Sequence, residues 1–180
     1  MAINYKTVIR SRTNFEIVGS ILVNASAEAI WQIFTTPGHL KLFHPFCKSH
    51  QKVKSWREIG DVDTAEFYNG KMMQRRLIGF SPLKSYTIQM ENKDGKNTQV
   101  CFRIKKIDTN TARASIHIKT DAYRKIPRPF WPVFVRLYLR KSYKNYLNSI
   151  LNGLKYYSET GKPVSRNQFG SHKKFSPEIN

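Results

Sequence analysis

The segment from Pro129 to about Thr160 constrains this chain more than any other. Leu139, Tyr143, Tyr146, Leu147, Ile150, Leu151, Leu154 and Tyr157 recur at steps of three and four, the spacing that lines one face of an α-helix. Pro129 and Pro132 suit the approach and first turn, where a missing N–H costs nothing. Gly161, with Pro163 two positions on, supplies the stop. Such a helix runs about seven or eight turns, roughly 40 Å. A rod of that length must bury its apolar stripe on something broad, and the rest of the chain reads as a sheet.

Residues 1–12 are polar and basic, which predicts a flexible N-terminal segment. From Asn14 to Asn24, Phe15, Ile17, Gly19, Ile21 and Val23 alternate with polar residues, as in a half-buried strand. Ser26 stands where an N-cap belongs, ahead of a helix over Ala27–Phe34, and Thr36-Pro37 opens a second short helix to about Phe43. His44–Trp56 reads as a strand of poor alternation. A meander follows: Asp61–Tyr68 and Lys71–Phe80 flank Asn69-Gly70, then alternating runs cover Tyr86–Met90, Val100–Ile104 and Ala112–Ile118.

Parity sets the register, because a one-residue slip moves every side chain to the other face. A three-residue loop over Lys93-Asp94-Gly95 pairs Met90 with Thr98, Ile88 with Val100 and Tyr86 with Phe102. A loop over Asp108-Thr109-Asn110 likewise pairs Phe102 with Ile116. At Asn69-Gly70 a two-residue turn predicts Phe67 opposite Met72, Glu66 opposite Met73 and Asp63 opposite Arg76. Either face of that hairpin then brings a carboxylate and an arginine with it.

At 180 residues one domain is expected, over 13–161, with a disordered basic tail over 162–180. Cys47 and Cys101 form no disulfide framework and no metal spacing. With no apolar leader in Met1–Arg10, this predicts a soluble, cytoplasmic protein. Thirty-one Lys+Arg against 12 Asp+Glu give a net charge of +19. That excess attracts polyanions, or is simply a soluble basic surface.

The run Val23-Asn24-Ala25-Ser26-Ala27-Glu28-Ala29-Ile30-Trp31-Gln32-Ile33-Phe34, followed by Thr36-Pro37-Gly38-His39-Leu40, resembles the opening of the START/Bet v 1-like (SRPBCC, polyketide cyclase-like) superfamily. Leu154-Lys155-Tyr156-Tyr157-Ser158-Glu159-Thr160-Gly161 is similar to the end of that superfamily's last helix. Phe43-His44-Pro45-Phe46 departs from its usual tryptophan after the second helix. The resemblance covers about Phe15 to Gly161. It implies an α+β helix-grip fold: a curved antiparallel sheet wrapped around a long C-terminal helix, with two short helices after the first strand. It further implies an apolar cavity between sheet and helix. Members hold lipids, sterols, hormones or polyketides, and some catalyse cyclisation or dehydration; fold alone does not choose.

On that basis the expected function is binding of a hydrophobic or amphipathic small molecule such as a lipid, with no cofactor and no metal. Trp31, Ile88, Phe102, Ile116, Ile150 and Leu154 are the expected lining, and Arg75 or Arg76 the partner of an acidic headgroup. A second reading is a cyclase or dehydratase using His44, Glu66 or Asp63 as acid or base, with His39 and His44 at the cavity rim. His117 is expected on a solvated face and His172 in the tail. A third reading docks Arg124, Lys125, Arg128, Phe130 and Trp131 on an anionic membrane surface. The alternative there is that the aromatics pack in the core while the cations face water. No nucleic-acid motif accompanies these residues. Gly153, inside the long helix, leaves room either for a ligand or for close packing.

Overall fold

The computed structural model describes residues 3–11, 14–52, 58–91, 97–121 and 126–177. Its strands are β1 Asn4–Ser11, β2 Asn14–Val23, β3 Cys47–Lys52, β4 Val62–Phe67, β5 Met72–Ser81, β6 Ser85–Glu91, β7 Asn97–Lys106 and β8 Ala112–Thr120. All pair antiparallel in one sheet, in the order β1-β2-β8-β7-β6-β5-β4-β3. Between β2 and β3 lie helices α1, Ala27–Thr35, and α2, Leu40–Phe43. After β8 come a 3-10 turn at Arg128–Phe130, α3 Trp131–Phe134, a π-helical turn Val135–Leu139 and α4 Arg140–Thr160.

Local chemistry sets these boundaries. Ser26 Oγ accepts the Ala29 N–H at 3.1 Å, capping α1. Gly161 ends α4 with φ +68°, and its N–H donates to the Tyr157 carbonyl at 2.8 Å. The apolar face of β2 carries α4: a Cβ at Gly19 would meet Leu151 Cδ1 at 2.9 Å, so the absent side chain lets the helix settle there. Phe15, Ile17, Ile21, Ile116, Leu147, Leu151 and Leu154 are buried together in the core. Under α1, Tyr86 and Phe102 stack at 4.7 Å, and Phe34 meets both rings edge-on at 5.5 Å.

The parity pairings hold: Ile88 faces Val100, Tyr86 faces Phe102, and Phe102 faces Ile116. The loop over Lys93-Asp94-Gly95 lies outside the described residues, as does Trp56. The β4–β5 hairpin differs from expectation by one residue. Asp63 pairs with Arg75, Val62 with Arg76, and Glu66 with Met72. The Phe67 N–H donates to the Lys71 carbonyl at 2.9 Å, so Tyr68, Asn69 and Gly70 form a three-residue loop. Gly70 takes the left-handed position, at φ +77°. Asn69 Oδ1 locks the loop by accepting the Lys71 N–H at 2.9 Å.

Both ends of the domain need correction. The N-terminal segment expected to be loose contains strand β1, paired with β2 from Asn4↔Ser20 onward. The tail expected to be disordered is a strap over 161–177 that doubles back along α4. Val164 N–H donates to Leu42 O at 3.0 Å, Asn167 N–H to Pro45 O at 3.1 Å, and Asn69 N–H to Phe175 O at 3.1 Å. Ser149 Oγ donates to Phe169 O at 2.8 Å. The strap therefore joins α2, the β4–β5 loop and α4.

Candidate functional site

The one-residue slip of the hairpin decides where the charges go. It sets Asp63 and Arg75 opposite each other on the inner face, at 1% and 2% exposure. Arg75 Nε donates to Asp63 Oδ1 at 2.7 Å, and Nη2 donates to Oδ2 at 2.5 Å, a bidentate fork. His50 on β3 brings Nε2 within 2.9 Å of Asp63 Oδ2. The Leu40 N–H donates to His50 Nδ1 at 3.3 Å, and His50 Nε2 also lies 2.8 Å from Arg75 Nη2. His39 lies edge-on to His50 at 4.9 Å, donates from Nδ1 to Thr36 O at 3.1 Å, and faces the Tyr86 hydroxyl at 3.5 Å.

The electrostatics make this cluster self-sufficient. Burial raises the Asp63 carboxyl, but the His50 hydrogen bond and the Arg75 charge outweigh it and hold the group at about 2. Burial holds His39 well below the usual imidazole range, and Arg75 adds to the effect. Burial likewise lowers His50, only partly opposed by Asp63. At neutral pH the cluster is one cation and one anion locked together beside neutral rings. Arg75 is thus committed to Asp63, and the expected headgroup role for it is overturned by that fork.

A second constellation forms beneath the strap. His44 Nδ1 accepts the Phe46 N–H at 3.3 Å, so Nε2 donates to Tyr146 Oη, 3.2 Å away. Burial, then the Arg75 charge, push His44 down to about 3. Phe175 packs at a tilt on Tyr146 at 5.0 Å and Phe67 at 5.1 Å, while His172 packs on Phe46 at 5.7 Å. Where strap and helix separate, a groove of about 380 Å³ opens. Leu137, Tyr138, Lys141, Ser142 and Asn145 form its helix wall, and Ser171, His172, Lys173 and Lys174 its strap wall.

The remaining expected site residues scatter. Ile88, Phe102, Ile116, Ile150 and Leu154 are core side chains, and Trp31 packs half-buried against Phe80 at 5.2 Å. Arg76 is exposed, with Nη1 donating to Gly60 O at 3.5 Å. Glu66 faces away from the core, accepting from Lys48 Nζ at 2.8 Å and Ser49 Oγ at 3.0 Å. His44, Glu66 and Asp63 therefore do not converge on one reacting centre. His39, His44 and His172 are buried rather than at a rim or in a free tail. His117 is partly covered, with Nε2 3.4 Å from Glu16 Oε2. Trp131 is core and Phe130 exposed, dividing the expected membrane contacts; Arg124 and Lys125 lie outside the described residues. Cys47 is buried, and burial pushes its thiol up to about 12.

The sequence pattern places Tyr86 and Tyr146 only on the apolar faces of a strand and a helix, and assigns His50 no role. Their roles come from strands and helices meeting in space, and no local motif announces them. Among the described residues no three His, Cys, Asp or Glu side chains group as metal ligands would. No described helix is long and apolar enough to cross a membrane.

The sheet wrapped on a long last helix, with two short helices after β2, defines a helix-grip protein. Solved structures share that architecture at low identity. A conserved protein of unknown function from Enterococcus faecalis is 12% identical with a TM-score of 0.63, over 91% of this chain and 81% of that one. Norcoclaurine synthase from Thalictrum flavum, solved with dopamine and hydroxybenzaldehyde, is 14% identical with a TM-score of 0.55, over 83% and 86%. A protein of the dynemicin biosynthetic locus is 15% identical with a TM-score of 0.58; it matches 85% of this chain, which spans only 50% of that one. No protein-family model and no curated protein matches the chain. The chain has the START/Bet v 1-like fold.

Proposed function

We propose that this protein binds an amphipathic small molecule with an acidic headgroup and does not transform it. The observation that carries this reading is the groove between α4 and the strap. Its volume of about 380 Å³ falls in the range of small-molecule sites, roughly 300–1,000 Å³. Leu137 and Tyr138 offer apolar area to a chain or ring, while Lys141, Lys173 and Lys174 offer cations to a carboxylate or phosphate. The headgroup partners are thus these lysines, since Arg75 is held by Asp63. A cyclase-type enzyme is disfavoured because His44, Glu66 and Asp63 face three different neighbourhoods.

The test titrates the purified protein with a fluorescent long-chain carboxylate and with the alcohol of the same chain. The carboxylate is expected to bind the tighter. Lys173→Ala/Lys174→Ala is expected to weaken it about fivefold, from roughly 0.5 kcal/mol for each of two exposed ion pairs, and to leave the alcohol unchanged. Equal affinity for both probes, untouched by the double variant, overturns the reading. Native mass spectrometry of the freshly purified protein then identifies any molecule already held.

A further inference from the structure

The stretch Phe130–Leu139 is apolar apart from Arg136, yet only one side of its helix is covered. Trp131, Val135 and Leu139 recur at steps of four and are buried against the domain. The wider π-helical turn at Val135–Leu139 keeps those steps on one face. Phe130, Val133, Leu137 and Tyr138 point outward, at 65%, 58%, 68% and 54% exposure. Four large exposed apolar side chains in ten residues form a patch of the kind that marks an interaction surface. The charge around it is of one sign. From residue 122 to 158 the chain has no Asp or Glu, while Arg128, Arg136, Arg140, Lys141 and Lys144 are exposed there.

We infer that this face docks on an anionic lipid bilayer, with Phe130, Val133 and Leu137 entering the headgroup boundary and the arginines meeting lipid phosphates and carboxylates. The charge pattern selects that occupant. A second copy of this chain would present the same basic rim, and at +19 per copy the two would repel. A negatively charged bilayer complements both the apolar centre and the cationic border. The face shares Leu137, Tyr138 and Lys141 with the rim of the ligand groove, but Phe130, Val133, Arg136 and Arg140 do not line it, so variants at those four residues test the docking separately.

The test is co-sedimentation of the full chain with vesicles of phosphatidylcholine alone and of phosphatidylcholine mixed with phosphatidylserine. Binding is expected only to the mixed vesicles and is expected to weaken with salt. Arg136→Ala/Arg140→Ala is expected to lower the affinity about 30-fold, from about 1 kcal/mol, or fivefold, per basic side chain near such a surface. Phe130→Ser/Val133→Ser is expected to lower it at least tenfold with the circular dichroism spectrum unchanged, since both side chains are exposed. Equal pelleting with neutral vesicles overturns the inference, as does indifference to Phe130→Ser/Val133→Ser. Self-association that appears without vesicles and vanishes in Phe130→Ser/Val133→Ser overturns it too, and gives the face to a second copy. Loss of carboxylate binding in the lysine variants, with vesicle binding intact, would separate the two sites.

Discussion

Gly153 offers a sharp test, because two physical effects predict opposite signs for one methyl group. Glycine inside a helix costs about 1 kcal/mol against alanine, so Gly153→Ala should stabilise α4 if nothing lies against it. In the structure α4 crosses the end of α2 at this position. A Cβ would lie 2.1 Å from the Phe43 carbonyl oxygen, 3.2 Å from its carbon and 3.4 Å from Pro45 Cδ. The first neighbour is backbone, so no rotamer relieves the collision; the helices must part by more than an ångström. Overpacking typically costs about 1–3 kcal/mol, and a backbone clash between two anchored helices belongs at the upper end. Subtracting the propensity gain leaves a net loss of about 2 kcal/mol. For a chain of this size that lowers Tm by roughly 4–8 °C. Urea unfolding and a thermal melt of both proteins measure it. A Gly153→Ala protein more stable than the parent would refute the close crossing and restore Gly153 as open space beside the helix.

Asp63→Asn strands the Arg75 charge in the interior and is expected to cost about 3–5 kcal/mol. Asp63→Leu/Arg75→Met should recover most of that loss in urea unfolding, and a single variant costing under about 1 kcal/mol would show that the fork is not structural. Acid should destabilise the protein early. His44 is held down to about 3 by burial first, whereas an unfolded imidazole titrates near about 6.5. Between those values the unfolded chain binds the extra proton, so stability falls as pH drops through about 6.5, by up to about 1.4 kcal/mol per pH unit for such a group. Asp63, held at about 2, adds its own loss as pH falls below about 4. His44→Gln keeps a donor for Tyr146 and should flatten the slope of Tm between about pH 7 and 5; an unchanged slope would reject His44 as a source.

The sheet was legible because its inner face is buried along β6, β7 and β8. There, side-chain alternation left a single register that kept Ile88, Val100, Phe102 and Ile116 together. The β4–β5 hairpin lacked that discipline. Asn-Gly is the signature of a two-residue turn, and both registers put one acid and one arginine on the same face. Burial patterning therefore did not separate them. The loop instead spends its glycine at the last of three positions, and that single step brings Asp63 to Arg75. The strap is hidden in the sequence for a different reason. Its polar composition is that of a free tail, but Phe169, His172 and Phe175 recur every three residues and each finds an aromatic partner. Such anchoring depends on where Tyr146, Phe67 and Tyr156 end up, which no local pattern records. The convergence of His39, His50, Asp63, Arg75 and Tyr86 was invisible likewise, being assembled from four adjacent strands and the residue before α2.

The strap also bears on how the molecule is made. Its amide and carbonyl groups meet α2, the β4–β5 loop and α4, all of which leave the ribosome before it does. Until residues 161–177 emerge, Phe46, Phe67 and Tyr146 lack the rings that later cover them. A chain truncated after Thr160 would leave those aromatics for chaperones to bind; in the full chain Phe175 and His172 cover them.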